Sequence, residues 1–350
     1  MYNKEQNKIK NIFMILFIII LVIIAWLTFK SHTKSKPLSQ VFPVIDKHAP
    51  TEVIDPFIDS RIIALPSNIY PKSGYSMIIM NKDSLLAFWG IPDNKKEHNN
   101  LKEINNIEFL QSKFEDNKWG TPELILSINK LSTFNQKYIK DLQNHIVYQD
   151  NKGVIHLFII SNNIIDLAGN NISHLISNDN GKSWFLAGKS LPSLFFSKNQ
   201  FAYSNIINLE DGFYLPINNI FLFKYIPNNY VKSQLLHFNQ NNKFIEEYSV
   251  PSSMDFSTFF NSPIAMIQLE SNLQFIVYNS NNDKSKLGIA KSVDGIHWHN
   301  IKVLEDKRGD TFTNPYIQIK DKNINVLYIW NYKFIKHLRF NKEWLIDEKI

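Results

Sequence analysis

The chain has 350 residues, 44% hydrophobic and 13% aromatic, with 20% charged residues and a net charge of +6 at pH 7. That is ample material for a large core and unlike the composition of a disordered chain. The absence of cysteine excludes disulfides, thiolate metal sites and a cysteine nucleophile, and without a clustered basic face or a known motif nucleic acid is not an expected partner.

Residues 12–29, IFMILFIIILVIIAWLTF, form an apolar run without charge. At 1.5 Å per residue it extends about 27 Å, close to the thickness of a hydrocarbon core. No small-residue cleavage site follows it, and Trp26 stands near its outer end, so a single-pass signal anchor is expected. Lys4, Lys8 and Lys10 before the run balance Lys30, Lys34 and Lys36 after it. Long C-terminal domains translocate largely regardless of such charges. Residues 1–11 are therefore expected to be cytoplasmic and the body periplasmic or extracellular. Residues 30–58, with Pro37, Pro43, Pro50 and Pro56, read as a stalk to a domain at 59–350.

Beyond the stalk the chain reads as short strands. SMIIM (76–80), SLLAFWG (84–90), VIHLFII (154–160), FIVYNS (275–280) and NVLYIW (325–330) are rich in β-branched and aromatic residues and are bounded by turn formers. The only helix expected in the body is a weak one at about 101–109. The expected fold class is all-β: a sandwich, barrel or propeller. A repeat decides among them. SNDNGKSW places Ser177, Asp179, Gly181 and Trp184 in order, SVDGIHW repeats them as Ser292, Asp294, Gly295 and Trp298, and SKFEDNKW (Ser112–Trp119) is a degenerate third copy. In each good copy the Asp is expected to accept hydrogen bonds from turn N–H groups and the Gly to take a positive φ. The Trp is expected to plug the space between sheets. These residues are structural, not catalytic.

These turns resemble the Asp boxes, or BNR repeats, of the sialidase superfamily. NSPIAMIQLESNLQFIVYNS, KLGIAKSVDGIHW, VLEDKRGDTFTNPYIQIK and LYIWNYKFIKHLRFNKEWL are similar in order and spacing to its bacterial exo-α-sialidase-like branch. KYIKDLQNHIVYQDNKGVIHLFII and LEDGFYLPINN upstream are similar to it too. The resemblance implies a six-bladed propeller with its site at the centre of one face. The chain is short between Glu246 and Phe260, so one blade is trimmed or missing, with five-bladed closure as the alternative.

The family's chemistry would need an arginine triad, a tyrosine nucleophile activated by a glutamate, and an acidic Asp. At the matching places stand Ser73, Lys286 and Asn314, with Asn218 and Asn219 after the LP of LEDGFYLP. These five are the candidate binding residues, and no catalytic residue is assigned. The chain's three arginines, Arg61, Arg308 and Arg339, read as turn or strand-edge charges, with Arg339 closing the last blade. Asp83, Asp93, Glu97, Glu108 and Glu115 are loop carboxylates without a sharper signal, and His297 and His299 flank a structural Trp. No metal or other cofactor is expected. The leading expectation is a membrane-anchored propeller that binds glycan or another envelope component, its catalytic residues degenerate. An active exo-α-sialidase-type hydrolase and a protein-interaction scaffold are the alternatives.

Overall fold

A computed structural model describes residues 10, 12–20, 34–35, 55–63, 77–80, 85–92, 107–150, 152–162, 169–193, 197–201, 206–209, 212–221, 231–241, 243–249, 265–270, 273–279, 284–292, 298–320 and 323–346. Two strands come from the sequence expected to be stalk and domain start: β1 (Lys34–Ser35) and β2 (Ile58–Ile63). The rest follow in blade order. The first blade comprises β3 (Met77–Met80), β4 (Leu85–Pro92) and β5 (Ile107–Glu115), with β6 (Lys118–Trp119) and β7 (Glu123–Leu126) both pairing with β5 at its outer edge. The second is β8 (Asp141–Gln149), β9 (Ile155–Asn162) and β10 (Asn170–Ser177), edged by β11 (Phe185–Leu186) and β12 (Leu191–Pro192). In the third, β13 (Ser197–Phe201) and β14 (Ile207–Leu209) form an interrupted inner strand on β15 (Gly212–Phe221). Next come β16 (Val231–Asn239) and β17 (Phe244–Ser249), with β1 parallel to β17.

The fourth blade is β18 (Ala265–Glu270), β19 (Leu273–Asn279), β20 (Lys286–Ser292) and β21 (His299–Asp306). The fifth is β22 (Phe312–Lys320), β23 (Asn323–Trp330) and β24 (Phe334–Asn341), completed by β2. Inner strands β18, β22, β3, β8 and β13 touch in that order, which is the arrangement of a propeller. The six-bladed expectation is thereby corrected to five blades. The β18–β21 blade takes residues 265–306, whereas only the fifteen positions 250–264 separate β17 from β18. Four strands and their turns do not fit in that length.

The five strand segments read from sequence coincide with β3, β4, β9, β19 and β23. Apart from β3 they are second strands, paired on both sides and packed on both faces; every residue of β9 is buried. The helix expected at 101–109 is not found where that stretch is described, because Ile107–Glu115 is strand β5. A helix runs instead over Ile128–Asn135. Ser127 caps it by accepting from Lys130 N, Gln136 ends it in the left-handed conformation, and Leu131 is buried beneath it. Of the apolar run at 12–29, residues 12–20 are described, helical and exposed. Among the described residues no helix is long and apolar enough to cross a membrane.

Closure of the ring rests on β2, which runs antiparallel to β24 from Ile58↔Phe340 to Ile63↔Ile335. Arg61 Nε donates to Asp59 Oδ2 at 2.7 Å, and Arg339 Nη2 lies 3.9 Å from the same oxygen. Buried Asn341 fixes the seam further. Its Oδ1 accepts from Phe57 N at 2.9 Å and from Trp344 N at 3.0 Å, and its Nδ2 donates to Asp55 O at 2.6 Å. Arg339 is thus a blade-closing residue, as its sequence context suggests.

The first Asp box forms as its residue types require. Asp179 Oδ1 accepts from Ser183 N and Ser177 Oγ, both at 2.8 Å, while Oδ2 accepts from Ser183 Oγ. Gly181 has φ +85°, so a larger residue there would be strained, and its Cβ, 2.4 Å from Gln111 Oε1 on the first blade, would displace that side chain. Trp184, 3% exposed, donates Nε1 to Gly181 O and meets Phe88 of the first blade edge-on at 6.1 Å. The degenerate copy is a different device. Asp116 and Asn117, at φ 49° and 61°, form the two-residue loop between Glu115↔Lys118, as a type I′ hairpin requires. Its Trp119 still wedges between blades, against Phe114 and against His337 of the fifth blade. In the second Asp box Ser292 is buried and Trp298 half-buried; Asp294 and Gly295 lie outside the described residues.

Trp184→Ala is expected to cost about 3–5 kcal/mol in a urea titration, as for other buried large-to-small changes. The hydrogen bonds from Ser183, ahead of that from Ser177, hold the Asp179 carboxyl at about 2 against an ordinary 3.8. Its stabilisation is therefore complete above about pH 4 and lost as pH falls through about 2. Melting temperatures of the parent and Asp179→Ala should differ at pH 7 and converge toward pH 2.

Candidate functional site

The blades share one winding, so at one end of the ring every first strand begins, every second strand ends and every third begins. Asn218 and Asn219 near the end of β15, Lys286 at the start of β20 and Asn314 near the start of β22 all fall there. Ser73 lies outside the described residues. The four described candidates thus come to one face. Lys286 ends in a half-exposed ion pair with Asp306 at 3.0 Å, opposite it in the strand register. Asn218 is buried. Asn314 has φ 52° in a bulge, where the β22–β23 register slips between Thr313 and Tyr316. Asparagine tolerates that left-handed conformation better than an aromatic residue would.

Other asparagines at this end join blades. Asn170 on β10 donates Nδ2 to Asn199 O at 2.9 Å and accepts from Asn199 N at 2.8 Å, tying the second blade to the third. Asn279 on β19 donates Nδ2 to Phe312 O at 2.6 Å, tying the fourth to the fifth. Asn162 donates to Asp141 Oδ1 at 2.8 Å where β8 and β9 meet this face. Asp310, in the turn before β22, accepts from Asn331 Nδ2 and Trp330 Nε1, each at 3.0 Å, and lies 2.9 Å from Lys307 Nζ. Those donors, Asn331 first, hold its carboxyl at about 2.

The three arginines do not converge. Arg61 and Arg339 share Asp59 on the outermost strands of the fifth blade, whereas Arg308 is exposed in the turn that precedes β22, the opposite edge of that sheet. Three strand spacings, about 14 Å, lie between those edges. Among the described residues no carboxyl is held above its ordinary range. Asp59, Asp179 and Asp310 are the carboxylates with displaced pKa values among the described residues, and all are lowered. An acid catalyst needs a raised one. Tyr148, Tyr278, Tyr316 and Tyr328 are all pushed upward, burial being the largest cause in each, away from a nucleophilic phenolate.

Among the candidate carboxylates, Glu115 pairs with Lys113 at an exposed hairpin, and Asp83, Asp93 and Glu97 lie outside the described residues. His299 is exposed on β21, His297 is not described, and no cluster of three metal-ligating side chains exists among the described residues. Asp141, Asp310 and the interblade asparagines were not singled out from sequence. Their signal was weak, because an Asn that ties two blades together reads as one more turn former. Lys286→Ala is expected to change stability by less than about 1 kcal/mol in chemical denaturation, since its pair is exposed.

Residues 83–219 match the family model described as a BNR repeat-like domain. Among solved structures, the chain is similar to Hadza microbial sialidase Hz136, with 13% identity, a TM-score of 0.51, and coverage of 77% of this chain and 66% of that one. A Dyadobacter fermentans protein of unknown function gives 14% identity, a TM-score of 0.48, and coverage of 81% and 99%. Trypanosoma rangeli sialidase in complex with sialic acid gives 13%, 0.44, 80% and 44%. The chain thus spans just under two thirds of the Hadza enzyme and under half of the trypanosomal one. No curated protein is significantly similar to it in sequence. The match over 83–219, the Asp box at 177–184 and the ring of blades together place a BNR repeat-like domain within a five-bladed propeller.

Proposed function

We propose that this propeller is a binding protein for glycan or another envelope component, held at a membrane by residues 12–29, and that it no longer hydrolyses glycosides. The observation that carries this reading is the placement of its three arginines. Two are spent on Asp59 at the ring seam, and the third stands across the sheet from them. A carboxylate clamp needs guanidinium forks converging on one point. The shifted groups among the described residues weigh the same way, since the lowered carboxyls supply no proton and the raised phenols no phenolate at neutral pH. Among the described residues this face offers Asn314 and Thr313 beside the carboxylates of Asp141 and Asp310, groups suited to hydrogen-bonding a polyol.

The deciding experiment is hydrolysis of a panel of aryl glycosides, sialosides included, together with binding to an array of envelope polysaccharides. No turnover above background is expected, with binding weakened at least tenfold by Asn314→Ala. Robust turnover that disappears on central-face substitution would overturn the reading, as would the absence of any glycan binding. For the anchor, the full chain is expected to stay with membranes through alkaline carbonate washing and a chain lacking residues 1–29 to be released; retention of the shortened chain would count against it.

A further inference from the structure

Between the second and third blades, away from the central face, lies a cavity of about 250 Å³. Its walls include Phe158, His174, Phe238 and Phe244, with Lys189 and Lys243 at its rim. His174 on β10 is 6% exposed, and its Nε2 lies 3.0 Å from Nδ1 of His156 on β9, which is fully buried. The two are diagonal neighbours on one sheet face, with Phe158↔His174 and His156↔Ile176 in register. Behind them Asp150 Oδ2 lies 3.4 Å from His156 Nε2. That is long for a strong hydrogen bond, yet a lone pair facing a carboxylate would be repelled, so the proton of His156 belongs on Nε2. Its Nδ1 then accepts from His174 Nε2–H. In neutral His174 this leaves Nδ1 as a bare acceptor.

That acceptor hydrogen-bonds to no described residue and is not sealed from solvent, while its imidazole forms part of the cavity wall. Burial, with His156 beside it, pushes the His174 pKa well down, which keeps the imidazole neutral. Lys189 and Lys243 have exposed ammonium groups with no carboxylate partner among the described residues. Phe158 stacks on the imidazole at 4.2 Å and holds its plane. A purely apolar ligand would leave the acceptor unsatisfied, and a simple anion would meet a lone pair. The combination calls for a hydroxyl directed at Nδ1, an anionic group at the two lysines, and C–H faces against the phenyl rings.

We infer that this interblade cavity binds a small polyhydroxylated anion, with His174 Nδ1 accepting a hydroxyl proton and Lys189 and Lys243 holding the charge. The test is calorimetric titration of the full chain with gluconate and glucose 6-phosphate, with sorbitol and hexanoate as the uncharged and hydroxyl-free controls. One or both polyhydroxylated anions should bind at least tenfold more tightly than either control. The Lys189→Ala/Lys243→Ala double variant, whose exposed side chains leave the core intact, should weaken that binding at least tenfold, as should His174→Phe; Asn314→Ala on the central face should not. The ¹⁵N resonance of His174 Nδ1 should move on addition of the ligand. The inference is overturned if neither anion binds, if the controls bind as well, if the double-lysine variant binds as tightly as the parent, or if that resonance is unmoved at saturation.

Discussion

The ring depends on one strand pairing that is remote in sequence. β2, at residues 58–63, supplies the outermost strand of a blade whose other strands end at Asn341. Every other blade is built largely from consecutive chain, and without β2 the edge of β24 would present unpaired backbone groups to water or to another molecule. The seam is therefore overdetermined: six register pairs, the Asp59–Arg61–Arg339 cluster, and the three hydrogen bonds of Asn341. An arginine committed to a carboxylate there is unavailable to a ligand. In a chain with only three arginines, closure of the fold engages two of them.

The joints between blades follow a division of labour. On the Asp-box side they are apolar wedges, with Trp184 against Phe88 and Trp119 against Phe114 and His337. On the central-face side they are amide bridges, Asn170 to Asn199 and Asn279 to Phe312. A strand end near the open face leaves backbone groups without ladder partners, and a buried one is costly if unmet. Asparagine answers this with a donor and an acceptor on a short arm. The asparagine bias of the sequence has a structural use here.

Legibility in the sequence followed burial. β4, β9, β19 and β23 could be read directly because second strands are covered on both faces and form unbroken apolar runs. First strands were harder, β3 excepted: β13 and β14 are short pieces of one interrupted strand. The helix at Ile128–Asn135 was missed because INKLSTFN is a poor helix former, held by a serine cap and one buried leucine rather than by propensity. The blade count failed for another reason. The resemblance carried a six-bladed expectation, although the short span after Glu246 already argued for fewer. On the central face, positions were legible through the resemblance. Their partners, such as Asp306 for Lys286, lie in other strands and emerge only from the register.

The joint between the second and third blades pairs two histidines beside a cavity, whereas the joints flanking the first blade each bury a single imidazole, His145 against Phe109 and His337 against Trp119. Tyr148, Phe158, Phe213 and Phe238 pack there among one another and the two histidines, with Phe213 and Phe238 stacked at 4.9 Å. Into this apolar cluster two imidazoles are inserted, each with its pKa driven down chiefly by the cost of burying charge. A phenyl pair would fill comparable space without any polar atom to satisfy, and replacing buried polar groups by apolar ones of like shape is often neutral or stabilising. A wedge needs only volume, as Trp184 and Phe88 illustrate across the neighbouring joint. A neutral imidazole whose free nitrogen borders a cavity, backed by a second imidazole and a carboxylate that together fix its tautomer, is organised for recognition rather than for holding blades together.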